Sequence, residues 1–383
     1  MITQEVCVKN DSFRHFFVKF CQKMQKIHKK LPKTVENLCM SEKIRTFARK
    51  EKNIMNKPLL VVLTPVRNEA WILHAFLKAT SLWADYIIIA DQMSTDGSRE
   101  IYPQYEKVIL VDNPREEMHQ ARTRQLLFEA AKKIEGDKIL FALDADEFLS
   151  GDFVNTQGWK TIINSEPGDV FSFRWMNLLP DITTYTSFDP YYWAVHINEE
   201  TFNGEFPDNY IHEWRLPWPN KVNKEFIIED ISFIHLARVN VKRQNNKEIF
   251  YQVSTAYADK HYSGVRMFRH YQTYHPISEG TILHVPNEAY AFYYKHGIDI
   301  WLDIKRDDVG QHYIDDVLKK IKEKGLKYFS KLDIWNSSLV QNNELSNPQT
   351  KLDKLVVLYL RLTKKYTNSL LVRGVDFILK KLY

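Results

Sequence analysis

Between residues 58 and 143 the chain alternates short β-branched runs with helix-period segments, which predicts an α/β protein. Three observations carry the expectation. Four apolar runs have strand length, helical patterns separate them, and polar residues collect at the same end of each run. Together they describe a mostly parallel sheet with helices on both faces, and ligands bind such sheets beyond the C-terminal strand ends.

The first run, "LLVVLTP" (59–65), leads into "NEAWILHAFLKATSLW" with helical periodicity. "YIIIAD" (86–91) is the second strand, followed by the turn-rich "QMSTDGS" and a short helix. "KVILVD" (107–112) is the third, before an Arg- and Ala-containing helix over 115–135. "KILFAL" (138–143) is the fourth. Residues 169–240 change character, with short extended runs and thirteen aromatics between Phe171 and Trp218. Beyond 241 the pattern is mainly helical. Residues 11–52 also read as helical, with Phe16, Phe17 and Phe20 on one face. The expected organisation is a basic helical extension over 1–57, the α/β domain over 58–240 and a helical region over 241–383.

Composition bounds the function. The 383 residues carry a net charge of +5, distributed unevenly. Residues 11–57 hold 13 Lys/Arg against 4 Asp/Glu and residues 350–383 hold 8 against 2, so basic ends flank an acidic body. A uniformly basic nucleic-acid binder would not look like this. Solvated Lys-rich helices explain the pattern, and so does contact with an anionic membrane surface. No run reaches the roughly 18 apolar residues of a spanning helix, and the first ten residues lack a secretory layout. Cys7, Cys21 and Cys39 have no CxxC spacing, which suits reduced thiols in a cytoplasmic protein.

The strand-end loops hold the candidate chemistry. "TPVRNEAW" contains no Gly, which argues against a dinucleotide fingerprint or a P-loop. Pro65, Arg67, Asn68 and Glu69 offer a cation, an amide and a carboxylate for a base edge and a ribose. The alternative is a helix start capped by Asn68. In "ADQMSTDGS", Asp91 can accept from a base N–H beside Ser94, while Asp96 or Ser98 suits a helix cap. The fourth loop is Asp144-Ala145-Asp146-Glu147. In an extended segment, residues i and i+2 share a face, so Asp144 and Asp146 converge on one cation. Carboxylate oxygens suit Mg²⁺ or Mn²⁺, with a diphosphate completing the coordination. Solvent exposure at a loop is the bland reading of the same residues.

In order and spacing, TPVRNE, ADQMSTDGS, a helix with Arg122 and Arg124, and ILFALDADE resemble a family 2-type glycosyltransferase with the GT-A fold. The resemblance covers about residues 58–240, and the DADE ending is similar to the bacterial branch. It implies a nucleotide-diphosphate sugar donor touched by Asn68, Glu69 and Asp91, with Asp144 on the ribose or metal and Asp146 on the metal. Either Arg122 or Arg124 matches the arginine before the D-x-D strand. The family takes its general base from an acidic residue after the D-x-D, which points to Glu213 in "YIHEWRLPW"; a carboxylate paired with Arg215 is the alternative there. Similar proteins place a histidine as third metal ligand near "ISFIH", here His235, with Arg238, Lys242, Arg243 and Lys247 close to the leaving diphosphate. A buried structural histidine is the competing reading. His261, His270, His275 and His284 lack ligand-like spacing and read as structural.

The expected activity is inverting sugar transfer to a glycan or glycolipid hydroxyl in cell-surface polysaccharide or lipopolysaccharide synthesis. It would take place in the cytoplasm or peripherally on the inner face of the membrane. Three rivals were weighed. A haloacid dehalogenase-type phosphohydrolase expects Thr or Val where Phe148 stands. A nucleotidyltransferase shares the fold but expects a Gly-rich first loop. An inactive carbohydrate-binding scaffold need not retain Asp91, Asp144 and Asp146.

Overall fold

The computed structural model describes residues 57–114, 119–201, 215–259, 261–271 and 282–383. The chain divides into two compact units, Met1–Lys57 and Pro58–Tyr383. The helix expected over 11–52 and the three cysteines lie outside the described residues, as do His212, Glu213 and His275.

In the second unit, β1 (Leu59–Val66), β2 (Tyr86–Asp91), β3 (Val108–Asp112) and β4 (Lys138–Ala142) run parallel in the order β3-β2-β1-β4. Alternation along these strands sorts their side chains onto two faces. Leu60, Val62, Ile87 and Ile89 join the core that holds Leu73, Phe76 and Leu77 of helix α1 (Leu73–Ser81). Val61, Leu63, Ile88 and Ala90 point the other way, into the core that holds Leu127, Phe128 and Ala131. The latter three belong to a helix numbered below as α3. A sheet covered on both faces needs strands that are apolar throughout, and Ile87, Ile88 and Ile89 are fully buried. The expected helices on both faces are present.

Beyond β4 the sheet becomes mixed. β5 (Glu147–Leu149), β6 (Val170–Leu178), β7 (Thr184–Ile197) and β8 (Glu225–His235) extend the order as β4-β7-β6-β8-β5, and β9 (Ile282–His284) pairs with β7. β7 is antiparallel to β4 and β6, while β8 is parallel to β6 and antiparallel to β5. The aromatic-rich region thus forms three long strands. Among the described rings, Phe171, Phe173, Tyr192 and Trp193 are buried, with Trp193 and Phe173 against Phe233, while Phe188 and Tyr191 are exposed.

The remaining helices are α2 (Ser98–Ile101), α3 (Gln120–Lys132), α4 (Gln157–Ile163), α5 (Val241–Ala258), α6 (Gly264–Tyr271), α7 (Ala291–Lys295), α8 (Gln311–Lys324), α9 (Ser338–Asn342), α10 (Lys351–Leu362) and α11 (Leu370–Leu382). α5 and α8 pack around Phe250, Val253, Tyr313, Ile314 and Val317. Two local differences from the sequence pattern concern the site. α1 starts at Leu73 instead of at residue 68, because the N–H groups of 68–70 donate to Ser94, Ser98 and Asp96 of the neighbouring loop. Asp144-Ala145-Asp146 is a turn and not an extended segment, closed by Glu147 N–H donating to Asp144 O at 3.1 Å.

Candidate active site

A cavity of about 130 Å³ opens over the C-terminal ends of β1 and β4. It is lined by Pro65, Arg67 and Glu69 from the first loop, Arg124 from α3, Asp144, Ala145 and Asp146 from the turn, and Lys247 from α5. These are eight of the residues singled out from sequence. Val66, Gln92, Gln120, Thr123, Phe250, Tyr251 and Tyr313 complete the wall.

The turn after β4 is held by arginines. Arg124 Nη2 donates to Asp144 Oδ1 at 2.7 Å, and Arg215 Nη2 donates to Asp144 Oδ2 at 2.9 Å. Burial alone would raise the Asp144 pKa, but these guanidiniums hold it well below the usual carboxylate range. Arg215 also forks onto Glu147, with contacts of 2.5 and 2.9 Å, and lies over the Trp193 ring at 4.9 Å. Glu147 is fully buried, so its pKa is raised by burial, against the pull of Arg215; it accepts from Asp144 N–H at 2.8 Å. Glu147 therefore shapes the turn through the backbone while Asp144 and Asp146 reach the cavity. Arg124 Nη1 is buried without a hydrogen-bond partner, a donor left for an anion. Of the two α3 arginines, Arg122 is exposed and does not line the cavity.

His235, at the end of β8, sits with Nε2 3.6 Å from Asp146 Oδ2. Its Nδ1 meets Asn177 Oδ1 at 2.5 Å, and its ring stacks on Trp175 at 4.4 Å with an interplanar angle of 17°. Because an amide oxygen only accepts, Nδ1 donates to Asn177 and Nε2 is the nitrogen that faces the carboxylate. Such an arrangement calls for a cation between the two, or a second ring proton, and an orienting acceptor on the far nitrogen is how metal-ligating histidines are held. Asp146 is itself lowered in pKa: burial opposes ionisation, but His235 and Lys247 favour it. These residues fit a divalent ion completed by a substrate's oxygens. Each Asp144 oxygen already accepts from one guanidinium, which leaves one lone pair on each for such an ion. Among the described residues no group of three His, Cys, Asp or Glu side chains is arranged as a ready metal cage.

Three sequence candidates hold the loops and not the cavity wall. Asn68 takes a left-handed φ of 56°, which Asn tolerates. Its N–H donates to Ser94 Oγ at 2.9 Å and its Oδ1 accepts from Thr95 N–H at 2.7 Å. Asp91 is fully buried and accepts from Ser94 N–H, from Arg99 at 2.7 Å and from Tyr102 OH at 2.6 Å. In this conformation neither Asp91 oxygen faces the cavity wall. Asp96 accepts from Ala70 N–H and Ser98 N–H, which ties the first two loops together.

The helical region reaches into the site. Arg243 pairs with Glu69 at 2.9 Å and donates to Asn68 O at 2.8 Å and to Asp308. Glu69 is raised in pKa by burial, against Arg243 and Lys247. Burial works against the Lys247 ammonium, yet Tyr251, Tyr313, Asp146 and Glu69 keep its pKa well above the ordinary value. Sequence reasoning missed Phe250, Tyr251 and Tyr313, which sit in stretches that look like ordinary amphipathic helix. From sequence, Arg215 reads only as a partner for Glu213; its place beside the aromatic run is the signal that it packs at the site.

A parallel half-sheet with its charged residues gathered over the ends of β1 and β4 defines a Rossmann-like α/β protein of the GT-A type. Residues 61–158 match the family described as Glycosyl transferase family 2, and this segment resembles a family 2 glycosyltransferase domain. No curated protein sequence matches it. Solved structures that the chain matches in part include glucosyl-3-phosphoglycerate synthase from Mycobacterium tuberculosis in complex with Mn²⁺, UDP and glucosyl-3-phosphoglycerate. That match has 16% identity and a TM-score of 0.24, covering 33% of this chain and 46% of that one. GalNAc-T7 with UDP, GalNAc and Mn²⁺ matches at 12% identity and a TM-score of 0.28, over 70% of this chain and 58% of that one. The inositol-1-phosphate CTP transferase from T. maritima matches at 9% identity and a TM-score of 0.29, over 47% and 90%. The chain spans less than half the length of the mycobacterial synthase. Likenesses at this level define neither substrates nor residue roles.

Proposed function

We propose that the protein transfers a sugar from a nucleotide-diphosphate sugar to a hydroxyl of a glycan or glycolipid, with inversion, in cell-surface polysaccharide or lipopolysaccharide synthesis. The observation that carries this reading is the cavity itself. It joins the Asp144-Ala145-Asp146 turn to the cations Arg124 and Lys247 beyond the strand ends of a family 2-like domain. The donor's diphosphate would lie against Lys247 and Arg124, two cations that line the cavity, in a partly dry setting where electrostatic stabilisation is strongest. Asp146 and His235 would hold Mn²⁺ or Mg²⁺, which when bound neutralises charge on the departing diphosphate. Pro65, Arg67 and Glu69 would border the nucleoside. Asn68, Asp91 and Ser94 would serve it by fixing the loop, unless donor binding opens them. Glu213 is the candidate base for the acceptor hydroxyl.

A thermal-shift panel of nucleotide sugars with Mn²⁺, followed by transfer assays on the stabilising donors, tests the reading. Ligand binding raises apparent stability by mass action, by about 2.7 kcal/mol at a hundredfold excess over Kd. One class of donor should raise the melting temperature and yield a glycosylated product. Stabilisation by nucleoside triphosphates with release of pyrophosphate would replace sugar transfer by nucleotidyl transfer.

A further inference from the structure

The C-terminal helices expose what helices in a folded domain normally bury. α10 packs Val356 and Leu360 with Val265 and Phe268 of α6, and Val357 beside them is also buried. On its other side Leu352, Leu355, Leu358 and Leu362 follow steps of three and four, which sets them along one stripe. α11 turns Val372 and Asp376 inward and leaves Leu370, Leu371, Phe377 and Ile378 outside. These eight side chains are between 52% and 83% exposed. So much apolar surface on two consecutive helices marks an interaction face.

The charges around it identify the partner. Residues 351–383 contain eight Lys or Arg and two acids. Both acids are buried and used internally. Asp353 closes a capping box with Thr350, and Asp376 is held by Arg269 at 2.7 Å and by Tyr359 OH. Arg361 is engaged by Asp333. Lys351, Lys354, Lys365, Arg373, Lys380 and Lys381 remain exposed, and Lys381 lies over the Phe377 ring at 4.4 Å. A second copy of this face would set cations against cations. An anionic lipid surface supplies the complementary charge and an apolar layer for the leucines, while lysine stems reach back to the headgroups. Among the described residues no helix is long and apolar enough to cross a membrane.

We propose that α10 and α11 form a peripheral docking face for an anionic membrane surface, lying in the headgroup layer with the leucine stripe and Phe377 inserted. The proposal stands apart from the identity of the sugar donor. The test is sedimentation of the full chain with vesicles of phosphatidylcholine alone and of phosphatidylcholine mixed with phosphatidylglycerol. Binding to the mixed vesicles should exceed binding to neutral ones by about tenfold or more and weaken with salt. Leu355→Gln/Leu358→Gln/Phe377→Gln/Ile378→Gln should lose that binding with an unchanged melting temperature. Lys380→Gln/Lys381→Gln should lose part of it, together with part of the salt dependence. Equal binding to neutral vesicles, no binding to either, or undiminished binding by the quadruple variant would overturn the proposal. So would self-association that this variant abolishes in a chain that ignores vesicles.

Discussion

Asp144 accepts from two guanidiniums while Glu147, three residues on, is sealed beneath one of them, so the acidic turn depends on Arg215. Removing that arginine leaves a fully buried carboxylate unpaired, which costs about 3 kcal/mol. Arg215→Ala should therefore lower urea-unfolding stability by about that amount, and a change within experimental error would show that Glu147 is already neutral. His312 supplies a pH dependence. Burial, and then the neighbouring Arg243, Arg67 and Lys247, push its pKa down from 6.5 to about 3. A folded-state pKa below the unfolded value means that the unfolded chain binds more protons between these limits. The contribution is thus intact above about pH 6.5 and lost as pH falls toward 3. Wild type should lose more stability than His312→Gln between pH 7 and pH 5 in parallel denaturation curves; identical slopes would exclude His312. Glu213→Gln should abolish transfer while preserving donor affinity, and equal loss of both would make Glu213 structural. At this scale the sequence was informative where chemistry concentrates, as in Asp144 and Asp146. It was ambiguous for Arg122 and Arg124, although Arg124 shares the helix face of Phe128 and Ala131, four and seven residues on, and that phase favours it.

At the level of secondary structure, α5 joins the helical region to the loops that border the cavity. Arg243 near its N-terminus is buried against Glu69 and Asp308 and also holds Asn68 O, while Lys247 and Tyr251, one and two turns further on, reach the cavity. Arg243→Ala should destabilise the fold by about 3 kcal/mol, because it leaves Glu69 buried without its partner. It should also raise the donor KM more than it lowers kcat, since it loosens the wall and not the reacting atoms. A fall confined to kcat would place Arg243 in the chemistry. The strands were legible because isoleucine- and valine-rich runs buried on both faces have few other readings. The starts of α1 and the acidic turn were less legible. Side-chain hydrogen bonds from Asp96, Ser94 and Ser98 hold 68–70 out of the helix, and no periodicity encodes such long-range contacts.

Across the described residues, the parallel strands gather the acidic turn and first loop at one end, α5 and α8 wall the opening, and the two C-terminal helices carry apolar, cationic surface. The basic tail was evident in composition. That its two acids are both consumed inside the fold was not, because sequence counts charges without placing them. The central claim, a diphosphate-bearing donor bound with a divalent ion at the Asp146 turn, is tested most directly by isothermal titration of nucleoside diphosphates, with and without Mn²⁺, into wild type and Asp146→Ala. Wild type should bind one nucleoside diphosphate at least tenfold more tightly with Mn²⁺, and Asp146→Ala should lose that enhancement while keeping its melting temperature. Binding that ignores both the metal and the substitution would contradict the account.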